Sequence, residues 1–402
     1  MTVAPATGPW IDVDLFSPSS EHALLRATVY QLVCDEVEPQ AREHDRAERF
    51  NRRLFRRCGE LDLFGLTVPA DEGGAGLDAV AAAIVHEELA TSDPGFALAF
   101  MAHAIGFANN LSRNASIEQR RRYLPRVLSG EWIGGMAMSE PEGGTDVLGM
   151  RTTARRDGDR YLLSGRKMWI TNGALDDQTL GDVFVTYART EGGTISTFIV
   201  ENGFPGFRLG RRIRDKLGCR ASMTAELVFD DCAVPAKNLV GDEGQSISHM
   251  MRNLELERVS LAAMALGIAQ RCLREMVRWA GQRVAFGRPI HEFGQIQRHI
   301  AESYAQWRAA RSYVYDVARR MDLEHAGHRV DADGMKLVAS TMAKDVADRA
   351  IQVLGAHGYV ADGVVERLWR DARMLEIGGG TLEAHQRNLT RDLVRDAERL
   401  LR

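Results

Sequence analysis

Apolar residues recur at helical spacing at both ends of this chain and stop doing so in the middle. Between Ser20 and about Glu131 the spacing predicts a helix over Glu21–Cys34 that ends near Pro39, a loop over Val68–Gly76, and further helices over Leu77–Leu89, Pro94–Asn110 and Glu118–Leu128. From about Trp132 to Gly241 short β-branched and aromatic runs take over: Arg160–Ser164, Asp182–Ala188, Ser196–Val200 and Ala225–Phe229. Turn-forming pairs punctuate them, such as Asp157-Gly158, Asn202-Gly203 and Asp230-Asp231. From Gln245 long helical patterns return, over Gln245–Arg283, Gln297–Met321, Asp333–Leu354 and Thr381–Leu401. The pattern predicts an α+β chain of three units: an N-terminal helical domain over 1–131, a middle β-domain over 132–241 and a C-terminal helical bundle over 242–402. Junctions between such units are where concave ligand sites form.

The chain's 402 residues are enough for several cores, and 45% hydrophobic with 26% charged residues is a globular balance. A net charge of −4, with both signs mixed, argues against nucleic acid or an anionic membrane as partner. Met1–Phe16 carries no export signal, and no apolar run is long enough to span a bilayer. Five scattered cysteines without C-x-x-C spacing suit free thiols in a reducing cytoplasm and suggest no metal site.

Several segments carry candidate chemistry. Ser139-Glu-Pro-Glu-Gly-Gly-Thr-Asp146 combines glycines that admit a ligand close to the backbone with the hydroxyls of Ser139 and Thr145; it reads equally as a surface turn. Lys167-Met-Trp-Ile-Thr-Asn-Gly173 sets the indole of Trp169 beside the hydroxyl of Thr171, which suits a flat heterocycle, or else Trp169 is core. Arg283-Val-Ala-Phe-Gly-Arg-Pro-Ile290 offers two guanidiniums for a pyrophosphate, or is a basic helix end with its glycine stop. Gln352-Val-Leu-Gly-Ala-His-Gly-Tyr359 and Arg370–Thr381 end the series. In the latter, three glycines precede a helix start, where backbone N–H groups can face an anionic or carbonyl oxygen; a plain linker explains them as well.

In their joint order these segments closely resemble the acyl-CoA dehydrogenase family. Ser139–Asp146 is similar to its E-P-x-A-G-S-D segment, Lys167–Gly173 to K-x-W-I-T-N-G, and Asp215–Thr224 to K-x-G-x-R-x-S-x-T. Arg283–Ile290 is similar to R-x-x-F-G-x-P-I, and the last two segments to Q-x-x-G-G-x-G-Y and R-D-A…G-T. Gly294 and Ala356 depart from it, where the family usually has Gln and Gly.

The resemblance implies an N-terminal helical domain, a β-barrel-like middle domain and a C-terminal four-helix bundle, with FAD between the last two. It implies that Met138, Ser139, Thr145, Trp169 and Thr171 contact the flavin. Arg283, Phe286, Gln352 and Gly355 would hold the dinucleotide of a neighbouring subunit, and Thr381 and Glu383 would line the cofactor. A shared cofactor implies an oligomer, in this family usually a tetramer.

The family's reaction removes an α-proton beside a thioester while a hydride leaves the β-carbon, so a carboxylate is needed near the α-carbon. Many members carry a Glu immediately before Gly380-Thr381; here Gly378 and Gly379 stand in that stretch. Leu254, Glu257, Leu261, Met264 and Ile268 fall on one helical stripe, which sets Glu257 in an apolar face. The plain alternative is a buried Glu paired with an Arg such as Arg258. The resemblance is to isovaleryl-CoA dehydrogenases, whose base lies in this same segment. It implies Glu257 as base, the Gly379 N–H as donor to the thioester carbonyl, and Arg258 and Gly378 at the substrate.

The expected activity is FAD-dependent α,β-dehydrogenation of a short or branched acyl-CoA, with electrons passing to an electron-transfer flavoprotein. The alternatives are an acyl group carried on acyl carrier protein, a flavin oxidase or monooxygenase, and a non-enzymatic binding protein of the same fold.

Overall fold

The computed structural model describes residues 14–325 and 327–398. Most of the Met1–Phe16 stretch and the predicted helix end at Leu401 lie outside the described residues.

The N-terminal unit starts with α1 (Ser20–Leu32), capped by the Ser19 hydroxyl, which accepts from the His22 N–H at 3.2 Å. The sequence predicts a stop near Pro39. The chain instead widens into a π turn over Val33–Val37 and continues as α2 (Glu38–Ala47). Pro39 sits directly after the π turn, and the helix runs on through it rather than stopping. The helix α3 (Arg52–Glu60) was not predicted, because Leu54, Phe55 and Cys58 are too few among its arginines to show a period. Next come α4 (Ala79–Ala90), capped by Asp78, and α5 (Pro94–Met101), capped by Asp93. The predicted helix Pro94–Asn110 is α5 followed by a π segment, Ala102–Asn109, which runs into α6 (Asn110–Asn114). Then α7 (Ile117–Leu128) begins with a reciprocal Ser116/Gln119 cap.

The middle unit is one sheet of β1 (Gly134–Ala137), β2 (Thr153–Asp157), β3 (Arg160–Thr171), β4 (Val183–Arg189), β5 (Ile195–Glu201), β6 (Phe207–Ile213), β7 (Thr224–Pro235) and β8 (Leu239–Val240). The order is β6-β7-β3-β2-β4-β5-β8, with β1 parallel to β4. The path does not close into a ring, but the sheet curls on its own core. Phe207 of β6 stacks on Phe229 at 5.0 Å and meets Phe184 of β4 edge-on at 5.6 Å, although those strands are far apart in the order. The barrel-like expectation therefore describes the curl of an open sheet.

The C-terminal unit holds α8 (Ser246–Gln282), a short hairpin of β9 (Val284–Ala285) and β10 (Arg288–Pro289), α9 (Gly294–Arg320), α10 (Arg329–Leu354), α11 (Ala356–Tyr359), α12 (Val365–Leu375) and α13 (Leu382–Arg395). Every residue of α8 from Asn253 to Ala269 is buried. It packs against α4 on one side and against α9 and α10 on the other. Gly267 makes the α4 contact possible, because a Cβ there would lie 2.1 Å from the Glu87 carbonyl oxygen. A carboxyl on this stretch of α8 is thus held away from bulk solvent.

Candidate active site

The site is assembled where β3 is irregular. Its pairing with β7 shifts register between Lys167 and Ile170, and Trp169 takes a positive φ of 65°. The bulge turns the indole outward, 57% exposed, while Met168 and Ile170 on either side are buried. Lys167, with no exposed surface, donates to the Met138 carbonyl at 3.0 Å and to Glu140 Oε1 at 2.9 Å. Glu140 also accepts from the N–H groups of Arg151 and Thr152. The Met168 N–H donates to the Ser139 carbonyl at 2.9 Å. One buried ion pair and one backbone bond thereby tie Met138–Glu140 to the strand that carries Trp169 and Thr171. Neither Lys167 nor Glu140 was singled out for this. The Asn172 amide bonds the carbonyls of Ala99 and Gly134, which fixes the strand end to α5.

A cavity of about 740 Å³ opens between this edge, α5, α8 and the start of α13. Met138, Ser139, Thr145, Trp169, Thr171, Glu257, Arg258, Gly378, Gly379 and Thr381, all candidates from the sequence, line it together. Leu98, Met101, Met136, Met251 and Leu254 give it an apolar, adaptable wall. Arg387 and Arg391 of α13 and Arg329 of α10 line it as well.

Glu257 is buried in this wall, and its Oε2 has no partner among the described residues. Burial pushes its carboxyl up to about 7, with Arg258 and Lys336 opposing the rise. Arg258 faces Asp333 at 3.3 Å, and Asp333 holds His385 Nδ1 at 2.5 Å. Across from Glu257 stands Gly379, with φ 67°; a Cβ there would lie 3.7 Å from Glu257 Oε1 and 2.2 Å from Leu261 Cδ1. The Thr381 hydroxyl caps α13 by accepting from the Ala384 N–H at 3.2 Å.

The remaining candidates lie outside the cavity. Phe286 is 95% exposed at the tip of the β9–β10 hairpin, with Arg283 exposed at its base. Gln352 and Gly355 lie at the end of α10, and the His357 ring just beyond packs at a tilt against Trp279 of α8, centroids 4.5 Å apart. Glu383 is exposed and does not line the cavity. The turn of α13 presents Thr381, Ala384, Asn388 and Arg391 to the cavity and points Glu383 away.

The group implied by the resemblance fits these residues. An outward indole without a stacking partner, the Ser139 and Thr171 hydroxyls and a deep cavity beside them suit a flat, edge-polar ring. Glu257 adds to the same lining a carboxyl whose Oε2 has no partner among the described residues and can exchange a proton with a molecule bound there.

Three family models match the chain: the acyl-CoA dehydrogenase N-terminal domain over residues 19–131, the middle domain over 135–232 and the C-terminal domain over 244–394. The mitochondrial isovaleryl-CoA dehydrogenase of Pongo abelii is 38% identical over 92% of this chain and 87% of its own length. The short-chain specific acyl-CoA dehydrogenase of Clostridium acetobutylicum is 36% identical over 92% of this chain and 97% of its own. Among solved structures, butyryl-CoA dehydrogenase from Megasphaera elsdenii superposes with a TM-score of 0.89 at 32% identity, covering 94% of this chain and 98% of that one. A glutaryl-CoA dehydrogenase from Mycobacterium smegmatis in complex with FADH2 gives 0.88 at 28% identity, covering 94% and 96%. With all three domains matched in order along the chain, the protein belongs to the acyl-CoA dehydrogenase family, whose members are FAD-dependent oxidoreductases acting on CH–CH bonds.

Proposed function

We propose that this chain binds FAD and dehydrogenates a short or branched acyl-CoA, with Glu257 as the general base. The observation that carries the reading is the unpartnered Glu257 carboxylate facing the bare Gly379 across the cavity. Bound FAD would supply a two-electron acceptor for the hydride from the β-carbon. The chain's own residues do the rest. Glu257 takes the α-proton, and the C–H electron pair becomes the new double bond. The Gly379 N–H meets the thioester oxygen as negative charge grows on it. Met138, Ser139, Thr145, Trp169 and Thr171 hold and orient the ring, with Thr381 at the neighbouring loop. The methionine-lined wall, with two small residues at 378 and 379, favours a short or branched chain. Homology to an isovaleryl-CoA and a short-chain enzyme supports the same choice.

In this reading Arg283, Phe286, Gln352 and Gly355 form a surface that completes a neighbour's cofactor site, which makes the protein an oligomer, a tetramer by family habit. The units are 1–131, 132–241 and 242–402, in keeping with the spans of the three family models. Electrons pass to an electron-transfer flavoprotein in the cytoplasm. No helix among the described residues is long and apolar enough to cross a membrane. Anaerobic bleaching of the flavin against a panel of acyl-CoA and acyl-carrier-protein thioesters tests the reading. Fast bleaching by a short or branched acyl-CoA is expected. Bleaching only by carrier-protein substrates would move the enzyme to the other carrier, and none at all would overturn the reading.

A further inference from the structure

Lys336 of α10 is completely buried, and its ammonium ends among three backbone oxygens. It donates to the carbonyls of Leu375, of Gly378 at 2.9 Å and of Gly380 at 3.2 Å. Leu375 is the last residue of α12, and Gly378 and Gly380 flank Gly379 just before α13. Three acceptors match the three protons of an ammonium and favour the charged form, while burial and the neighbouring Arg258 pull its pKa down to about 7 against Glu257, Asp333 and Glu376. Burying a charge is costly, and a neutral donor would tie the same loop with less desolvation. The nearby acid Asp333, one turn earlier on α10, is already engaged by Arg258 and His385. The protonated Lys336 therefore makes its hydrogen bonds to the loop peptides, with Glu257 and Glu376 acting on it through space.

The carbonyl of Gly378 and the N–H of Gly379 belong to one peptide, which is trans. In a trans peptide the two point in opposite directions. A cation bound at the oxygen end thus aims the Gly379 N–H away from the Lys336 ammonium, on a residue that itself lies beside Leu261 and Glu257. It also polarises the peptide, which makes that N–H a stronger donor. The Gly379 N–H has no acceptor among the described residues. We propose that Lys336 is a positioning residue for the substrate carbonyl: by gripping the Gly378 oxygen it aims and strengthens the Gly379 N–H that meets the thioester. The proposal rests on the dehydrogenase reading, and Lys336 does not itself touch the substrate.

The test uses the flavin-loaded enzyme with a carbonyl-labelled acyl-CoA, read by infrared difference spectroscopy, beside kcat, KM and backbone amide exchange over residues 376–384. Lys336→Met should lose about half or more of the downward shift of the bound carbonyl stretch. It should lower kcat about tenfold or more while KM changes less, since the lost effect is felt most in the transition state. Exchange over 376–384 should rise, and flavin content should hold. Lys336→Arg should recover part of the carbonyl shift. If the methionine variant does not fold, Lys336→Gln serves: a neutral donor should keep the loop's exchange slow and still lose the shift. A wild-type carbonyl shift and normal kcat in the methionine or glutamine variant would overturn the proposal. A wild-type enzyme that shifts the carbonyl of no acyl-CoA would instead overturn the dehydrogenase reading on which it stands.

Discussion

Oε1 of Glu257 lies 3.7 Å from the point where a side chain on Gly379 would begin. The two positions address the same small volume from α8 and from the loop before α13. One carries the acid and the other is bare, so the dehydrogenase reading assigns the proton transfer to Glu257. Glu257→Gln should therefore cut flavin reduction by about a hundredfold or more, the scale of a lost general base, with FAD content unchanged. Stopped-flow reduction at near-normal rate in that variant would place the base elsewhere, with Asp146, the other acid lining the cavity, next to test.

Moving the acid to the other position is blocked by packing. A Cβ at residue 379 would stand 2.2 Å from Leu261 Cδ1, on a backbone with φ 67°. In the Glu257→Gln background, Gly379→Glu alone should stay inactive. Adding Leu261→Ala should open the volume and restore measurable turnover, despite a backbone strain of about 1–3 kcal/mol at such a φ. Equal activity with and without the Leu261 change would show that Leu261 is not the obstacle.

The two halves of this site differ in how legible they are from sequence. Glu257 announces itself because it interrupts an apolar stripe of a long helix, and Gly379 because a glycine triplet precedes a helix start. Lys336 stands on the buried face of α10 with Ala332, Met335, Ala339 and Ala343, so the same stripe test applied there finds it. Its partners do not follow from the stripe: they are main-chain oxygens about forty residues away, which have no side-chain signature. The strand β3 shows the opposite case. The β-branched and aromatic run Arg160–Ser164 stops at Gly165, Arg166 and Lys167, which lack that signal, yet the strand continues to Thr171. The buried pairing of Lys167 with Glu140 is a tertiary contact that overrides the local polarity.

Gly378→Tyr should penalise branched acyl chains more than straight ones. Gly378 lines the cavity, and a Cβ there would stand 2.7 Å from Met374 Sδ, so a tyrosine must displace that flexible side chain and take volume from the cavity. The ratio of kcat/KM for a branched and a straight acyl-CoA of equal carbon number measures this. An unchanged ratio would refute it.

Arg283→Ala should weaken FAD retention and the oligomer together. The arginine is exposed at the base of a hairpin whose tip, Phe286, is nearly fully exposed in the single chain, and neither lines the cavity of its own chain. Flavin-to-protein ratio and sedimentation should fall in parallel. A full complement of flavin in an intact oligomer would leave Arg283 as a helix-end charge.

The raised pKa of Glu257 has consequences for both rate and stability, and their signs differ. Burial moves the carboxyl from an ordinary 4.5 up to about 7. As a base it works only when ionised, so flavin reduction at subsaturating substrate should increase as pH rises through about 7. For stability, the folded chain holds this proton more tightly than the unfolded chain does. Below the unfolded pKa both states are protonated and Glu257 carries no ionisation cost. As pH rises from about 4.5 to about 7 the unfolded chain ionises first and stability falls; above that the loss is constant. The shift corresponds to at most about 3 kcal/mol at 1.36 kcal/mol per pKa unit. Glu257→Gln cannot ionise and escapes this cost. The flavin-free variant should therefore resist urea better than flavin-free wild type at pH 8, and the gap should close as pH falls toward 5. Parallel pH dependence of the two proteins would show that Glu257 ionises in the folded chain as readily as in water, and would remove the basis for its late-titrating role as the base.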